Sequence, residues 1–160
     1  MKYVGKNIPR NDGFDKATGL GQFTMDVSMP HMLYARVLRS PYAHAKVVKI
    51  DTSAAEALPG VVTVCTFENT TNKPFNTSAT MVTTPRPAEP VRDQTIFTDE
   101  PKYIGDEVAA VAAETEAIAA EAIKRIKVEY EVLPAVYDPV EALKPDSPEV
   151  QPLYGNKEHH

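Results

Sequence analysis

The sequence predicts an α+β domain in which a mixed sheet packs against two main helices, with a long irregular loop between strands. Short β-branched or alternating segments recur along the chain, and segments with helical periodicity lie between them. A chain of 160 residues has the size of one domain, and folding at this length buries roughly 70% of the extended-chain surface. We therefore expect one core.

Two strands are predicted near the start, over residues 33–38 and 45–50, with the turn signal Ser40-Pro41-Tyr42 between them. Because the connection is short, we expect these strands to pair with each other in antiparallel fashion. The β-branched run 61–66 predicts a third strand. Its Cys65 is interpreted as a small buried hydrophobe rather than a nucleophile.

The second half of the chain predicts two more strands. Residues 107–113 are almost continuously apolar, as in a strand covered on both faces. Residues 127–132 alternate, so one face should carry Val128, Tyr130 and Val132.

Helices are predicted over residues 54–58, 116–125 and 140–143. The first should be capped by Asp51, Thr52 or Ser53 and end at Pro59-Gly60, the second should be capped by Thr115, and the third should open at Asp138-Pro139. The second helix needs a sheet to cover its apolar stripe of Ile118, Ala122, Ile123 and Ile126.

Residues 68–100 show little periodicity and are rich in Thr, Asn and Pro. A connection this long is usually functional or disordered. Because it has few large apolar residues to offset ordering costs, we expect neighbouring domains to order it.

Composition excludes several function classes. The net charge of -5 gives no basic patch for phosphates, so neither nucleic acid nor an anionic membrane is an expected partner. The apolar runs are too short for a membrane span, and no signal peptide opens the sequence, so we expect a cytoplasmic protein. One cysteine builds no disulfide or iron-sulfur cage.

Three motifs suggest chemistry, but a structural interpretation is favoured for each. Gly19-Leu20-Gly21 has no third glycine and follows no strand, so it is a poor dinucleotide loop. His31 and His44 lack zinc-site spacing and are interpreted as turn or core histidines with satisfied hydrogen bonds. Gly105-Asp106-Glu107 is interpreted as a turn leading into a strand rather than a carboxylate pair. No catalytic, cofactor-binding or metal-binding residue is predicted.

Several blocks of the sequence resemble the α/β hammerhead domain of the molybdenum subunit in the xanthine dehydrogenase and aldehyde oxidase family. They occur in the family's order: TGLGQFTMD at 18–26, LYARVLRSPYAHA at 33–45 continuing through IDTSAAEALPGV at 50–61, YIGDEVAAV at 103–111 and VEYEVLPAVYDP at 128–139. Any one block is modestly specific, whereas all of them in register are strong support.

This resemblance implies a parent protein that hydroxylates heterocycles or aldehydes with oxygen from water. It implies a molybdenum-pterin cofactor in later domains of the same subunit, and iron-sulfur clusters and FAD on partner domains or subunits. The domain itself would be a non-catalytic platform between the catalytic domains and the electron-transfer subunits. The hammerhead domain is expected to span 1–145, followed by a tail over 146–160 in which 158–160 is interpreted as a purification-tag remnant.

One site follows from the resemblance. Residues 93–97 are similar to the family segment just after a loop that reaches the substrate channel, which places Pro90 and Val91 in its lining. Family members with Leu-Phe there differ from Pro90-Val91, which implies a different or wider channel. The alternative hypothesis is a free-standing binding module that uses the 68–100 loop. A third hypothesis is a small autonomous enzyme.

Overall fold

The computed structural model describes residues 4–75 and 92–151. The chain divides into two compact units, residues 1–32 and 33–160. In the first unit, helix α1 (Gly13–Thr18) ends at Gly19, whose left-handed backbone (φ 75°) turns the chain out of the helix. A single 3-10 turn over Thr24–Asp26 follows. The sequence pattern did not predict either element.

The second unit contains five strands in two antiparallel sheets. The strands are β1 (Tyr34–Arg39), β2 (Ala45–Asp51), β3 (Val61–Thr66), β4 (Glu107–Ala113) and β5 (Lys127–Val132). The larger sheet has the order β1-β4-β3, and β2 pairs with β5 in the smaller one. The predicted α+β class and the predicted strand positions, to within one residue, are confirmed.

The predicted pairing of the first two strands is wrong. Strand β1 pairs with β4, and β2 pairs with β5. The reason lies at Ser40, which is buried and whose backbone bonds to the turn before β4: its N–H donates to Asp106 O at 2.9 Å, and its carbonyl accepts from Gly105 N at 2.9 Å. These bonds direct the chain away from a hairpin, and β1 instead covers one edge of the apolar strand β4.

Local capping signals were correct for two of the three later helices. Helix α3 (Glu116–Ile123) begins at Thr115, whose Oγ1 accepts from Ile118 N at 3.2 Å, but the helix ends two residues earlier than predicted. Helix α4 (Pro139–Ala142) begins at Asp138, whose Oδ1 accepts from two backbone N–H groups.

Helix α2 (Ser53–Glu56) is shorter than predicted, and Thr52 at its N-terminal boundary makes no side-chain capping bond. Of the three predicted caps, Asp51 bonds to the start of the helix, since its Oδ1 accepts from the backbone N–H of Ser53 at 3.0 Å. Beyond the helix, Gly60 turns the chain into β3 with a φ of 85°.

Alanine dominates the contact between α3 and the larger sheet. The helix lies against β1, β4 and β3, and Ala119 and Ala122 on the helix and Ala109 on β4 have no exposed surface. Small side chains let helix and sheet approach closely, so the core is tight there. The predicted apolar stripe is confirmed in part: Ala122 and Ile126 are buried, whereas Ile118 and Ile123 are half-buried.

Two exposure predictions need correction. Cys65 is half-buried rather than buried. Its neighbours Val64 and Thr66 are buried on one face of β3, so Cys65 points to the other face of a strand that lies at the edge of its sheet. Val132 does not continue the covered face of Val128 and Tyr130 and is 61% exposed, since it is the last residue of β5.

The end of the irregular connection belongs to the packed structure. Thr98 N donates to Glu107 O at 3.0 Å, while Val47 N donates to Asp99 O at 2.7 Å and Ala45 N to Pro101 O at 3.1 Å. Phe97 and Pro101 are buried. Residues 97–101 therefore join the two sheets, although the sequence assigned most of them to a loop.

Candidate functional site

The predicted channel residues, Pro90 and Val91, lie outside the described residues, as does the predicted tag remnant at 158–160. The described residues that flank 76–91 are hydrogen-bonded to each other. Phe75 N donates to Gln94 O at 2.8 Å, and Gln94 N donates to Phe75 O at 3.2 Å, so these two residues form an antiparallel bridge.

A polar hollow of about 430 Å³ lies beside this bridge. We call it the bridge hollow, and its lining comprises Phe75, Asp93, Gln94, Thr95, Ile96, Thr98, Glu100, Lys102, Tyr103, Asp106 and Glu107. The turn before β4 forms one wall, and the segment that follows the gap forms the other.

Asp106 holds the turn of the bridge hollow together. Its Oδ2 accepts from Lys102 N at 2.9 Å and its Oδ1 from Glu107 N at 3.1 Å. Burial raises the pKa of the Asp106 carboxyl above its usual value, while the two backbone N–H groups act in the opposite direction. Both carboxylate oxygens are thus used in shaping the turn.

Glu107 and Tyr103 are also held by neighbours. Arg39 Nη1 lies 2.5 Å from Glu107 Oε1 and donates to Gly105 O at 2.7 Å. The Tyr103 hydroxyl donates to Glu107 Oε2 at 3.4 Å, and burial together with the carboxyls of Asp106 and Glu107 raises the pKa of Tyr103 to about 12. The phenol therefore stays protonated, and the Arg39 guanidinium balances the Glu107 charge. The expected Gly105-Asp106 turn leading into β4 is confirmed.

His44 is a core residue, 7% exposed. Its Nδ1 lies 2.7 Å from Pro134 O and must carry the proton, because a carbonyl oxygen only accepts. Its Nε2 lies 3.6 Å from Glu100 Oε1 and has no hydrogen-bond partner among the described residues. The expectation of a core histidine is confirmed, because His44 is buried. The expectation that both of its ring nitrogens are hydrogen-bonded is wrong for Nε2. His31 lies in a turn with φ 60°.

The Gly19-Leu20-Gly21 motif forms a helix end. The backbone N–H groups of Gly19, Leu20 and Gly21 all donate to Asp15 O, so they satisfy a helix carbonyl rather than face a phosphate. Across residues 4–75 and 92–151, no group of three or more His, Cys, Asp or Glu is arranged to hold a metal ion. Within those same ranges, no helix has both the length and the apolar character to cross a membrane.

The family model for the α/β hammerhead domain of aldehyde oxidase and xanthine dehydrogenase matches residues 18–134. The chain belongs to this family. The matched range therefore includes the last residue of α1, all five strands and the bridge hollow.

Relatives of this hammerhead chain are much longer proteins. It is 37% identical to the probable hypoxanthine oxidase XdhD of Escherichia coli over 94% of this chain and 15% of that protein. It is 35% identical to the molybdenum-binding subunit of a xanthine dehydrogenase of Escherichia coli over 86% of this chain and 18% of that protein. The aldehyde oxidoreductase from Desulfovibrio desulfuricans has the same fold, with a TM-score of 0.78, 34% identity and coverage of 92% of this chain and 17% of that one.

Proposed function

We propose that this hammerhead domain is a non-catalytic N-terminal part of the large subunit of a molybdenum hydroxylase. The parent enzyme would hydroxylate a heterocycle or an aldehyde with oxygen from water. The observation that carries the proposal is the family match over residues 18–134 in a chain that covers only 15% of one relative and 18% of another. The bridge hollow supports the non-catalytic role, since Asp106 and Glu107 are held in structural bonds.

The cofactors are proposed to lie elsewhere in the parent enzyme. An iron-sulfur cluster needs four thiolates, whereas the chain has one cysteine, half-buried in β3. Among residues 4–75 and 92–151, no group of three or more His, Cys, Asp or Glu is arranged to hold a metal ion directly. We therefore place the molybdenum-pterin group in the domains that follow and the iron-sulfur clusters and FAD on partner domains or subunits, in a cytoplasmic complex for which this domain is a platform.

The purified chain is expected to carry no molybdenum and to oxidise neither hypoxanthine nor an aldehyde. The full-length large subunit, expressed from the parent gene in the same host, is the control and should contain molybdenum and be active with its partners. A third sample without residues 1–145 should fail to co-purify with the iron-sulfur and FAD partners. Elemental analysis and activity assays provide the readouts, and stoichiometric molybdenum in the isolated chain would disprove the assignment.

The parent reading frame separates this proposal from the alternative. A frame that continues into pterin-binding segments supports the platform domain. A natural stop codon near Tyr154 would instead favour a free-standing binding module that uses residues 68–100.

We further propose that Pro90 and Val91 line the substrate channel of the parent enzyme. The support is their position just before Asp93 and Gln94, which border the bridge hollow. Val91→Phe in the full-length enzyme should narrow the channel and lower kcat/KM for a bulky substrate about tenfold relative to a small one. Val91→Ile is the matched control, with a small expected effect. An equal change for both substrates would argue against a place in the channel.

A further inference from the structure

We propose that a second surface, the Ile104 groove, is the docking site for the polypeptide that follows this domain in the same large subunit. The groove is separate from the core and has a volume of about 550 Å³. Its apolar lining includes Ala43, Ile104, Tyr137, Pro139, Ala142 and Val150. The proposal rests on the proposed function, because it requires a longer parent subunit.

The exposed side chains of the Ile104 groove are unusual for their positions. Ile104 is 66% exposed in the turn before β4, next to Gly105 with a φ of 100°. Turns of this kind are normally built from Gly, Asn, Asp, Ser and Pro. Tyr137 is 81% exposed on the opposite wall, just before α4. Single exposed apolar residues need no explanation, but apolar residues grouped around one groove mark an interaction surface.

The charged side chains of the groove already make bonds within the domain, which bears on the chemistry of its occupant. Asp138 accepts from the backbone N–H groups of Val140 and Glu141 as the cap of α4. Lys102 Nζ donates to Gln151 Oε1 at 2.6 Å. The surface of the groove that remains available to a partner is mainly apolar. The occupant is therefore a mainly apolar segment.

The path of the chain identifies which polypeptide is nearby. Residues 135–139 and α4 form one wall of the groove, and Val150 lines it again. The bond from Lys102 to Gln151 then places the last described residue beside the same turn that carries Ile104. The last described residues, Val150 and Gln151, therefore lie beside the groove. The chain covers 15% of one relative and 18% of another, so most of each of those polypeptides lies outside the matched part.

Maleimide labelling tests this docking directly. Ile104→Cys and, as a matched control, Val62→Cys are each introduced with Cys65→Ala into the 160-residue chain and into the full-length subunit, and labelling is read by peptide mass spectrometry. Val62 is a comparably exposed apolar residue (56%) beside the end of β3 that pairs with Ala113. It therefore lies about 20 Å from the Ile104 turn, one length of β4 away.

The labelling rate at position 104 is expected to be at least about a hundredfold slower in the full-length subunit than in the chain, because docking must open first. At position 62 the two rates should be similar. Equal rates at position 104, or equal slowing at both positions, would overturn the proposal. A dimeric mass of the isolated chain with slow labelling at position 104 would assign the groove to a second copy and also overturn it. A full-length subunit without molybdenum would instead reject the proposed function.

Discussion

Ala122→Leu is expected to lower the free energy of unfolding by about 3 kcal/mol, because the site has no room for a larger side chain. Ala122 has no exposed surface and belongs to the core cluster shared by α3 and β4. A leucine there must push α3 away from the sheet or distort neighbouring rotamers. Thermal unfolding followed by circular dichroism should show the melting temperature falling by about 6 to 12 °C.

Ala117→Leu is the matched control, since Ala117 is on the same helix and is exposed. Alanine and leucine differ little in helix propensity, so this variant should unfold within about 0.5 kcal/mol of the parent chain. Equal destabilisation by both substitutions would show that the effect comes from the helix itself. Close packing of α3 on the sheet would then not be the cause.

Gly60→Ala is expected to cost about 2 to 3 kcal/mol. The φ of 85° at Gly60 is a left-handed conformation, which penalises a residue with a Cβ by roughly 1 to 2 kcal/mol. In addition, the new Cβ would lie 2.6 Å from Ile118 Cδ1. Ile118 must therefore leave its rotamer, which costs about 1 kcal/mol more. Urea unfolding of the variant and the parent chain measures the total.

Two further variants separate these contributions. Ile118→Val removes the Cδ1 atom, so Gly60→Ala in that background should cost about 1 kcal/mol less than in the parent chain. Gly105→Ala has a comparable backbone angle, φ 100°, but its Cβ would meet no atom within 4 Å, so only the backbone penalty is expected. If Gly60→Ala lowers the free energy of unfolding no more than Gly105→Ala does, the contact with Ile118 does not contribute to the cost.

The elements that the sequence predicted well are those set by local signals. A threonine before an apolar stripe, as at Thr115, or Asp138 followed by a proline, defines a helix start through bonds to the next few N–H groups. Strand positions follow from runs of β-branched or alternating residues in the same way. The resemblance of the sequence blocks to the hammerhead family was likewise confirmed.

The features that the sequence missed depend on distant contacts. Ser40 leaves the predicted hairpin because its backbone bonds to Gly105 and Asp106, far along the chain. The Ile104 groove brings Ala43, Ile104 and Val150 together from three separate segments. No local pattern encodes such proximity. The positions assigned to the channel, Pro90 and Val91, rest on family similarity alone and stay predictions.

The strand pairing also determines when this domain becomes able to fold during synthesis. Both N-terminal strands have partners in the later half of the chain, since Tyr34 pairs with Ala113 and Ala45 with Val132. On the ribosome, β1 and β2 therefore emerge without their partners: β1 must wait for β4, and β2 must wait for β5. Such long-range pairing slows folding and leaves unpaired strands open to aggregation. A ribosome that pauses just after β5 would give this domain time to close before the rest of the subunit appears.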